Sequence, residues 1–451
     1  MNSTTNEILP QGYKMTELGA LPEEWEVVQL ENKYIEFQNG LWKGKKEPYI
    51  KVKVLRNTNF NNDGTINFDD VAELDVEQRN FKNREIIKDD IILERSGGGP
   101  TQPVGRVVFF EKSDQFRYSF SNFTSRIRVT DKLRIFPKFL FYYLLDFYHQ
   151  GKTNDIQNRT TGIRNLDFSK YKQISLPLPP LPEQQKIAAV LSVVQEAKEK
   201  AEAVIDATKA LKKSMMKHLF TYGPVPPEET ENVPLKETEI GKVPEDWEVV
   251  KLGEAFEIIS KERIILIDDE KKYKQLTVRL YSKGIQLREI NVGNKIGVKK
   301  QYRVITGDFV FSKIDARNGA YGFIPDELND GIVSGDFPIL KLNKELCNQQ
   351  FLSYYLSIEK NWIHLRNFAV GTTNRKRVQP KEFLSYLSIP LPPLPIQQKI
   401  ASILSAIDAK IEAEENKKQA LEELFKTLLH NLMTAKIRVD KHRINIKEHK
   451  L

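Results

Sequence analysis

The stretch LPLPPLPEQQKIAAVLS (residues 176–192) decides the fold, because it returns almost unchanged as IPLPPLPIQQKIASILS (residues 389–405). A second pair of similar phrases lies upstream of these two: TELGALPEEWEVVQL (residues 16–30) and TEIGKVPEDWEVVKL (residues 238–252). The period is on the order of 200 residues, far longer than the repeat of a solenoid. The sequence therefore predicts a duplicated scaffold in which two copies share a frame and differ in their interiors.

The two interiors carry the positive charge of the chain. The whole chain has a formal net charge of +8, and its pI is about 9.1. Residues 26–177 contain 25 Lys and Arg against 20 Asp and Glu, and residues 247–390 contain 23 against 17. The connector, residues 221–246, is acidic, with 2 against 7. Two basic globules are typical of nucleic-acid binders, but many soluble proteins are equally basic without binding DNA.

Composition narrows the class of protein further. The single cysteine, Cys347, excludes an intrachain disulfide and a cysteine-rich zinc site, and it fits a reducing compartment. Residues 1–14 lack the basic-then-apolar pattern of a signal peptide. No stretch approaches the roughly 18 apolar residues of a membrane span. We therefore expect a cytoplasmic protein without a membrane partner.

Each half follows one order. An entry motif (residues 21–28 and 243–250) leads into a variable globule, which ends at a proline run, here called the proline stop (residues 178–182 and 391–395), and a long helix follows. Trp25 and Trp247, at the same place in the two entry motifs, are predicted core anchors. The interiors are predicted to be mixed, with several strands and one apolar helix each (residues 137–148 and 349–362). The predicted boundaries are 1–177 for the first entry segment and globule, 178–222 for the first long helix, 223–390 for the acidic linker and the second globule, 391–435 for the second long helix, and 436–451 for a basic tail.

The two long helices are predicted to pair antiparallel as a coiled coil. A proline run is stiff and extended, and here it is interpreted as a device that starts a helix rather than as a ligand for proline-binding modules. A helix of about 38 residues spans roughly 57 Å. The predicted seam of the first helix is Ile187, Val190, Val194, Ala197, Ala201, Val204, Thr208, Leu211 and Met215. The second seam is Ile400, Ile403, Ile407, Lys410, Glu414, Lys417, Leu421, Leu424 and Leu428, with a polar midsection expected to be loosely packed.

No catalytic or metal-binding motif stands out in the sequence. The dinucleotide turn, the phosphate loop, HExxH, and the serine-hydrolase and kinase signatures do not occur. The glycine-rich phrase at residues 97–99 lacks the Lys-Ser/Thr of a phosphate loop, and we interpret it as a turn between strands, with backbone approach to a phosphate as the alternative. The sequence predicts neither catalytic residues nor metal ligands.

Four landmarks occur twice and in the same order: PE[ED]WEVV, PLPPLP, xQQKIA, and the helix end HLFTYG or NLMTAK. With this layout the chain resembles the DNA specificity subunits of type I restriction-modification systems. The resemblance covers nearly the whole chain. It implies an α+β fold: two mixed α/β target recognition domains joined by two long antiparallel coiled-coil helices, with an internal pseudo-two-fold repeat. It also implies a non-catalytic subunit that reads a bipartite asymmetric site in double-stranded DNA, with the helices setting the spacer. The implied partners are two modification (methyltransferase) and two restriction (translocase/nuclease) subunits, and S-adenosylmethionine, ATP and Mg are expected on those partners, with no cofactor on this chain.

Candidate DNA-contacting residues come from basic, polar loop phrases. Arginine is the commonest reader of guanine and Asn or Gln of adenine, whereas lysines mostly hold phosphates. RTTGIRN (residues 159–165) and GTTNRKR (residues 371–377) stand near the same place in the two halves. The candidates are Arg95, Gln102, Arg106, Asn158, Arg159 and Arg164 in the first half, and Lys313, Arg317, Asn318, Asn374, Arg375, Lys376 and Arg377 in the second.

Three other functions stay open at the level of sequence. One is a stand-alone DNA-binding or anti-restriction protein on the same scaffold, and another is a coiled-coil adaptor that assembles proteins without DNA. The basic interiors disfavour the adaptor. A self-sufficient nuclease-methylase would need methylase motifs that the chain lacks.

Overall fold

The computed structural model describes residues 9–41, 44, 46–99, 102–160, 163–363, 365 and 377–439, except the side chains of Arg159 and Thr160. Within it the chain forms two compact units, Met1–Ala201 with Lys417–Leu451, and Glu202–Asn416. Each long helix contributes to both units. The boundaries predicted for recognition domains and spacers divide the chain differently and stay a prediction.

Unit 1 is built on a recognition domain rich in strands. Its strands are β1 Tyr13–Thr16, β2 Gly19–Pro22, β3 Glu26–Gln29, β4 Ile35–Asn39, β5 Tyr49–Leu55, β6 Ala72–Glu77, β7 Ile91–Glu94, β8 Ser96–Gly98, β9 Val107–Phe109, β10 Tyr118–Phe120, β11 Thr124–Val129, β12 Gln157–Thr160, β13 Ile163–Leu166 and β14 Ser175–Leu178. Its helices are α1 Gln78–Lys82, α2 Pro137–His149, α3 Phe168–Lys172 and the first part of α4 Leu181–Tyr222. The sheets have the orders β1-β2, β14-β3, β4-β11-β7-β9, β10-β5-β6 and β12-β13-β8.

Unit 2 repeats this plan with a larger outer sheet. Its strands are β15 Leu235–Thr238, β16 Gly241–Pro244, β17 Glu248–Lys251, β18 Phe256–Ile258, β19 Ile264–Leu266, β20 Lys272–Val278, β21 Ile285–Val292, β22 Lys300–Val304, β23 Phe309–Phe311, β24 Tyr321–Phe323, β25 Gly331–Val333, β26 Ile339–Leu342 and β27 Ser388–Leu391. Its helices are α5 Leu252–Ala255, α6 Gln349–Ser357, α7 Glu359–Ile363, α8 Pro380–Tyr386 and the first part of α9 Leu394–Met433. The sheets are β15-β16, β17-β27, β18-β26-β23-β24 and β19-β22-β25-β20-β21.

The repeated phrases at the two ends of each half meet in space. β3, which follows the first entry motif, pairs antiparallel with β14, which leads into the proline stop, so that Val27 lies opposite Pro177. In unit 2, β17 and β27 pair the same way, with Val249 opposite Pro390. Trp25 and Trp247 beside these ribbons are 0% and 2% exposed, as the core-anchor prediction requires. The variable interior is therefore an insertion held at its base by a two-stranded ribbon.

A buried glutamine of each QQK phrase ties the proline stop to the recognition domain. The side-chain amide of Gln184 donates to the carbonyl oxygens of Pro179 (2.8 Å) and Arg134 (3.1 Å), and its oxygen accepts from the amide of Phe136 at 2.7 Å. Phe136 is the N-cap residue of α2, whose first amides have no partner within the helix. Both hydrogen-bonding ends of Gln184 are thus satisfied without water.

Gln397 makes the same three bonds in unit 2. It donates to Pro392 (2.7 Å) and Leu346 (3.0 Å) and accepts from the amide of Asn348 at 2.7 Å. Asn348 is the N-cap residue of α6. The two phrases are therefore alike because each glutamine fixes a long helix against the first turn of the recognition-domain helix.

Within each unit the long helices run antiparallel. In unit 1, Arg438, just beyond α9, binds Glu183 of α4 (2.7 Å), and Lys198 further along α4 lies 6.0 Å from the ring of Phe425. In unit 2, Lys209 binds Glu415 and Lys212 binds Asp408, each at 2.6 Å. Later positions on α4 thus meet earlier positions on α9. The expected α+β fold with two long antiparallel helices is confirmed.

The predicted coiled-coil seam holds only in part. Ile187 and Ala201 are buried, but Leu211 and Leu424 are 51% and 45% exposed, so those positions were wrong. The reason is that α4 and α9 also pack on the recognition domains, which bury neighbouring positions such as Leu429 in the same core as α2. Because an α-helix drifts by about 20° per heptad against a strict seven-residue repeat, the buried stripe leaves the seam.

The polar midsection of the second helix is loosely packed at Lys410 and Lys417, which are exposed, but not at Glu414. Glu414 is 8% exposed and binds Lys410 at 2.7 Å, so this position is not solvated. Lys198 of α4 is 5% exposed and binds Asp63 of the first recognition domain at 2.6 Å. Burial raises the pKa of Asp63, but hydrogen bonds from Lys198 and Thr65 outweigh it and lower the pKa to about 2. The two buried charges, Glu414 and Lys198, are thus each compensated by an ion pair.

Candidate nucleic-acid interface

The structure brings together two of the predicted stretches of unit 1. β8, inside the phrase RSGGGPTQPVGR, pairs antiparallel with β13 of the hairpin that carries residues 157–166. The amide of Leu166 donates to the carbonyl of Arg95 at 2.8 Å, and the Ser96 hydroxyl donates to Asn165 at 2.6 Å. Residues about 70 apart in sequence therefore form one surface. The interpretation of residues 97–99 as a turn was wrong for Gly97 and Gly98, which lie in β8, whereas Gly99 exchanges backbone hydrogen bonds with Gln102 at 2.9 and 3.3 Å, as a turn requires.

Glycine is required where this strand passes Asn57. Gly97 has φ +107°, and a Cβ placed there would lie 2.4 Å from the side-chain nitrogen of Asn57. That nitrogen donates to the carbonyl of Ser96 at 3.2 Å. The Asn57 side chain thus fixes the backbone of β8 through the carbonyl of Ser96. Only glycine at position 97 lets the strand pass so close to that side chain.

Arg95 is a cation held in place without an acidic partner. Its guanidinium donates to the side-chain oxygen of Asn39 at 2.6 Å and lies 4.2 Å from the ring centre of Phe168. No carboxylate of the described residues forms an ion pair with it, and burial lowers its pKa. A half-buried, pre-positioned guanidinium without a counter-charge suits a phosphate or the acceptor edge of guanine.

Arg106 has a different environment, although it belongs to the same phrase. It is 8% exposed and grips Glu94 with two hydrogen bonds, at 2.8 and 2.7 Å. It also donates to the carbonyls of Phe60 (2.8 Å) and Asn57 (3.0 Å). Burial lowers its pKa, but the bonds and charge of Glu94 outweigh this and raise it. Contrary to the sequence prediction, Arg106 has the geometry of a residue that positions the loop.

The remaining candidates of unit 1 lie on or beside the same loop and hairpin. The amide oxygen of Gln102, in its satisfied orientation, accepts from Arg106 at 2.9 Å, so Gln102 supports that side chain. Asn158 is exposed on β12 opposite Asn165, and Arg164 lies on β13 opposite Arg159. The side chain of Arg159 lies outside the described residues.

Unit 2 has the equivalent junction with different side chains. The amide of Val378 donates to the carbonyl of Lys313 at 2.8 Å, just as Leu166 donates to Arg95 in unit 1. The loop 312–322, which carries Arg317 and Asn318, therefore meets the end of the stretch 371–377. Lys313 itself donates to the carbonyl of Gly335 at 2.8 Å.

The other candidates of unit 2 divide into two groups. Arg377 pairs with Asp336 at 3.3 Å, so its charge is partly compensated. Asn374, Arg375 and Lys376 lie outside the described residues. The loop 312–322 and Arg377 are thus the parts of the predicted second surface that the structure describes.

Sequence reasoning missed residues that position the loop. Asn39, Asn57 and Phe168 support Arg95 and its strand, and the carbonyl of Phe123 accepts from the amides of Arg95 (2.8 Å) and Ser96 (3.2 Å). The ring of Phe123 is 48% exposed beside them. These residues come from four distant parts of the chain, and no local pattern marks them.

Two further features bear on the class of protein. No group of three or more His, Cys, Asp or Glu suited to a metal ion occurs among the residues that the structure places. In the same part of the chain, no helix combines the length and apolar character needed to cross a membrane.

Comparison with known proteins identifies the family. Residues 22–206 and 244–423 each match the type I restriction modification DNA specificity domain. The chain belongs to this family. A putative type I restriction enzyme MjaX specificity subunit of Methanocaldococcus jannaschii is 29% identical over 95% of this chain and 97% of its own length. The MjaVIII specificity subunit of the same organism is 28% identical over 93% and 94%.

Solved structures of this DNA specificity family have the same fold. The S subunit of a type I restriction-modification system from M. genitalium superposes with a TM-score of 0.55 at 14% identity, covering 90% of this chain and 96% of that one. A chain from a study of complex assembly in the type I R-M system gives 0.52 at 18% identity, covering 92% and 99%. The expected membership, fold and role in sequence-specific DNA recognition are confirmed at the level of the family.

Proposed function

We propose that this chain recognises a bipartite, asymmetric DNA sequence, with one half-site bound by each unit. The observation that carries the proposal is the junction that both units build by the same backbone bond, Leu166 to Arg95 and Val378 to Lys313. Around it the side chains differ, with an uncompensated arginine in one unit and a lysine-led loop in the other. One frame that presents two unlike surfaces suits two unlike half-sites.

The surfaces divide into residues that contact DNA and residues that hold them. We assign Arg95, Asn158, Arg164, Arg317 and Asn318 to contact, together with Arg159, Asn374, Arg375 and Lys376, which rest on sequence alone. Arg106 and Gln102 are assigned to positioning, because a buried bidentate ion pair leaves Arg106 no free donor fork. Lys313 is assigned to a phosphate, because the lysine ammonium acts as a point charge. Arg377 is also assigned to a phosphate, because its pairing with Asp336 leaves less of its guanidinium free for a two-pronged contact with a base.

The chain is proposed to be the non-catalytic, cytoplasmic subunit of a complex. Its relatives are named as specificity subunits of type I restriction enzymes, which supports partnership with modification and restriction subunits. Because the frame occurs twice, a partner surface on it would also occur twice, which suits two modification and two restriction subunits. S-adenosylmethionine, ATP and Mg are assigned to those partners. The helices α4 and α9 are proposed to set the spacer between half-sites.

Adenine methylation mapped by long-read sequencing tests this function. In cells that express the chain with its modification subunit, we expect one methylated motif made of two different half-sites. Arg95→Ala should relax one position of one half-site, at a cost of about 1–3 kcal/mol, if Arg95 reads a base. If it binds a phosphate, binding should weaken for all sequences and the salt slope should fall by about one.

The exposed Arg79 of α1 offers the matched control, since Arg79→Ala should leave the motif and the affinity unchanged. A gel shift with random duplex, with and without the modification subunit, separates the other functions. Binding without the modification subunit and without any methylated motif would favour a stand-alone DNA-binding protein. No DNA dependence in either case would favour the adaptor and contradict the proposal.

Lengthening both long helices tests their role as the spacer. Insertion of four helix-forming residues after Ala203 and after Asn416 adds about 6 Å to each helix. Since base pairs are 3.4 Å apart, the methylated motif should gain one or two base pairs between its half-sites. Four residues inserted after Glu229, in the acidic connector, should leave the spacer unchanged. A spacer that ignores the helix insertions would contradict the assignment.

A further inference from the structure

The turn between β20 and β21 carries a strongly exposed tyrosine. Tyr281 is 60% exposed at the tip of the hairpin. The turn is closed by bonds from the amide of Arg279 to the carbonyl of Gly284 (2.9 Å) and from Lys283 to Leu280 (3.4 Å). The ring is thus presented to solvent by a defined turn.

This turn is fixed to the loop that carries two predicted DNA contacts. The amide of Tyr281 donates to the carbonyl of Asn318 and that of Ser282 to Gly319, both at 2.8 Å. A Cβ on Gly319 would lie 3.1 Å from the Ser282 nitrogen, so the two segments touch closely. The Tyr281 ring also lies 6.2 Å from that of the buried Trp362. Tyr281 and the loop 312–322 therefore form one continuous surface.

The backbone of the turn favours residues other than those present. Tyr281 and Ser282 have φ of 61° and 54°, the left-handed region in which Asn and Gly are preferred. An exposed tyrosine in this conformation costs stability and buries little surface in return. Strained positions of this kind often serve function.

Two cations flank the tyrosine. Arg279 and Lys283 are both exposed, and neither pairs with a carboxylate among the residues that the structure describes. Other arginines of unit 2, such as Arg263 and Arg303, do have an acidic partner. Aromatic rings between unpaired cations are typical of surfaces that hold bases and phosphates together.

We propose that Tyr281 packs its ring against a base step of the half-site bound by unit 2, while Arg279 and Lys283 hold the neighbouring phosphates. The inference rests on the proposed function and adds a third element to the second surface, which no sequence motif marks. Phosphate contacts by the two cations position the hairpin on the duplex, and the ring supplies contact with the bases.

Tyr281→Asn separates function from folding. Asparagine suits the left-handed turn, so the melting temperature of the full chain should stay the same or rise. With the modification subunit bound, affinity for the methylated motif should fall roughly tenfold or more, as expected when an aromatic contact to a base is removed. Tyr281→Phe should retain most of the affinity. Tyr386→Ala, which removes a tyrosine that is 43% exposed elsewhere in unit 2, should change it less than twofold.

The cations are tested by the double variant Arg279→Gln with Lys283→Gln. Loss of two phosphate contacts should reduce the slope of log affinity against log salt by about two, for the motif and for random duplex alike. The Tyr281→Asn variant should leave this slope nearly unchanged, because the ring releases no counterions.

The results divide cleanly. Motif affinity of Tyr281→Asn within twofold of the native complex overturns the inference while leaving the proposed function intact. If the native complex shows no preference for any duplex, the proposed function fails and this inference falls with it. If Tyr281→Asn lowers the melting temperature, p-benzoylphenylalanine at position 281 decides. A light-induced crosslink to the motif duplex supports the contact, and its absence overturns it.

Discussion

Glu94→Ala is expected to lower the free energy of unfolding of unit 1 by about 3–5 kcal/mol, because it leaves the buried guanidinium of Arg106 without its counter-charge. The Glu94 side chain is 1% exposed and that of Arg106 10%, so water cannot take over the lost interaction. The measurement is thermal and urea unfolding of the full chain. Arg106→Lys, which keeps the charge but loses the two-pronged fork, should fall between the native chain and Glu94→Ala.

The consequence for DNA distinguishes positioning from contact. Glu94 lies beneath the loop of Arg95, so its removal should also weaken binding to the methylated motif, although an anion cannot itself attract phosphates. Asp70→Ala is the matched control in the same unit, since the Arg56–Asp70 pair is exposed and 3.7 Å apart. It should cost less than about 1 kcal/mol. Equal losses for the two variants would contradict the buried-pair assignment.

Replacing Gln184 or Gln397 by alanine is expected to destabilise the corresponding unit by roughly 2–4 kcal/mol. Each change removes the partner of one carbonyl in a buried hydrogen bond and of one carbonyl and one amide in part-buried bonds. A buried unsatisfied group costs about 1–3 kcal/mol. The affected groups include the N-cap amide of α2 or α6 and a carbonyl of the proline stop. The contact between the recognition domain and the long helix should therefore loosen. Proteolysis within the proline stop and thermal unfolding both report on this.

Each QQK phrase supplies its own control. Gln185 and Gln398 are the neighbouring glutamines of the same phrases, and both are exposed. Gln185→Ala and Gln398→Ala should change the free energy of unfolding by less than about 0.5 kcal/mol. If the neighbours proved as costly as Gln184 and Gln397, the repeated glutamines would act through something other than the buried bonds.

Much of the frame could be predicted from sequence because its signals are local. A proline run followed by a long stretch without Gly or Pro predicts a helix start, and α4 and α9 begin at Leu181 and Leu394. The apolar helix near residue 137 was also predicted, and α2 covers Pro137–His149. In unit 2 the matching helix is divided into α6 and α7, because Ile358 between them is extended. Such a break depends on packing and has no strong local signal.

The candidate interface was less predictable, because the role of an arginine depends on what faces it. Arg95 and Arg106 stand in the same phrase and have the same chemistry. Arg95 faces Asn39 and Phe168, so its charge stays available for DNA. Arg106 faces Glu94, so its charge is neutralised within the fold. No sequence pattern marks Tyr281, since a tyrosine near a glycine is common. Its proposed role follows only from the hydrogen bond between its amide and the carbonyl of Asn318.

The sequence by itself determined that this chain is a duplicated frame around two unlike interiors, because repeated phrases and helix signals are properties of neighbouring residues. It also placed the chain in its family. Only the tertiary structure decided that the first and last strands of each half, β3 with β14 and β17 with β27, pair as one ribbon. It also decided that β8 joins the hairpin of β12 and β13. It alone separated a cation free to bind DNA from a cation that holds the loop. Those outcomes depend on burial and on partners far away in sequence, which set the electrostatic cost of each charge.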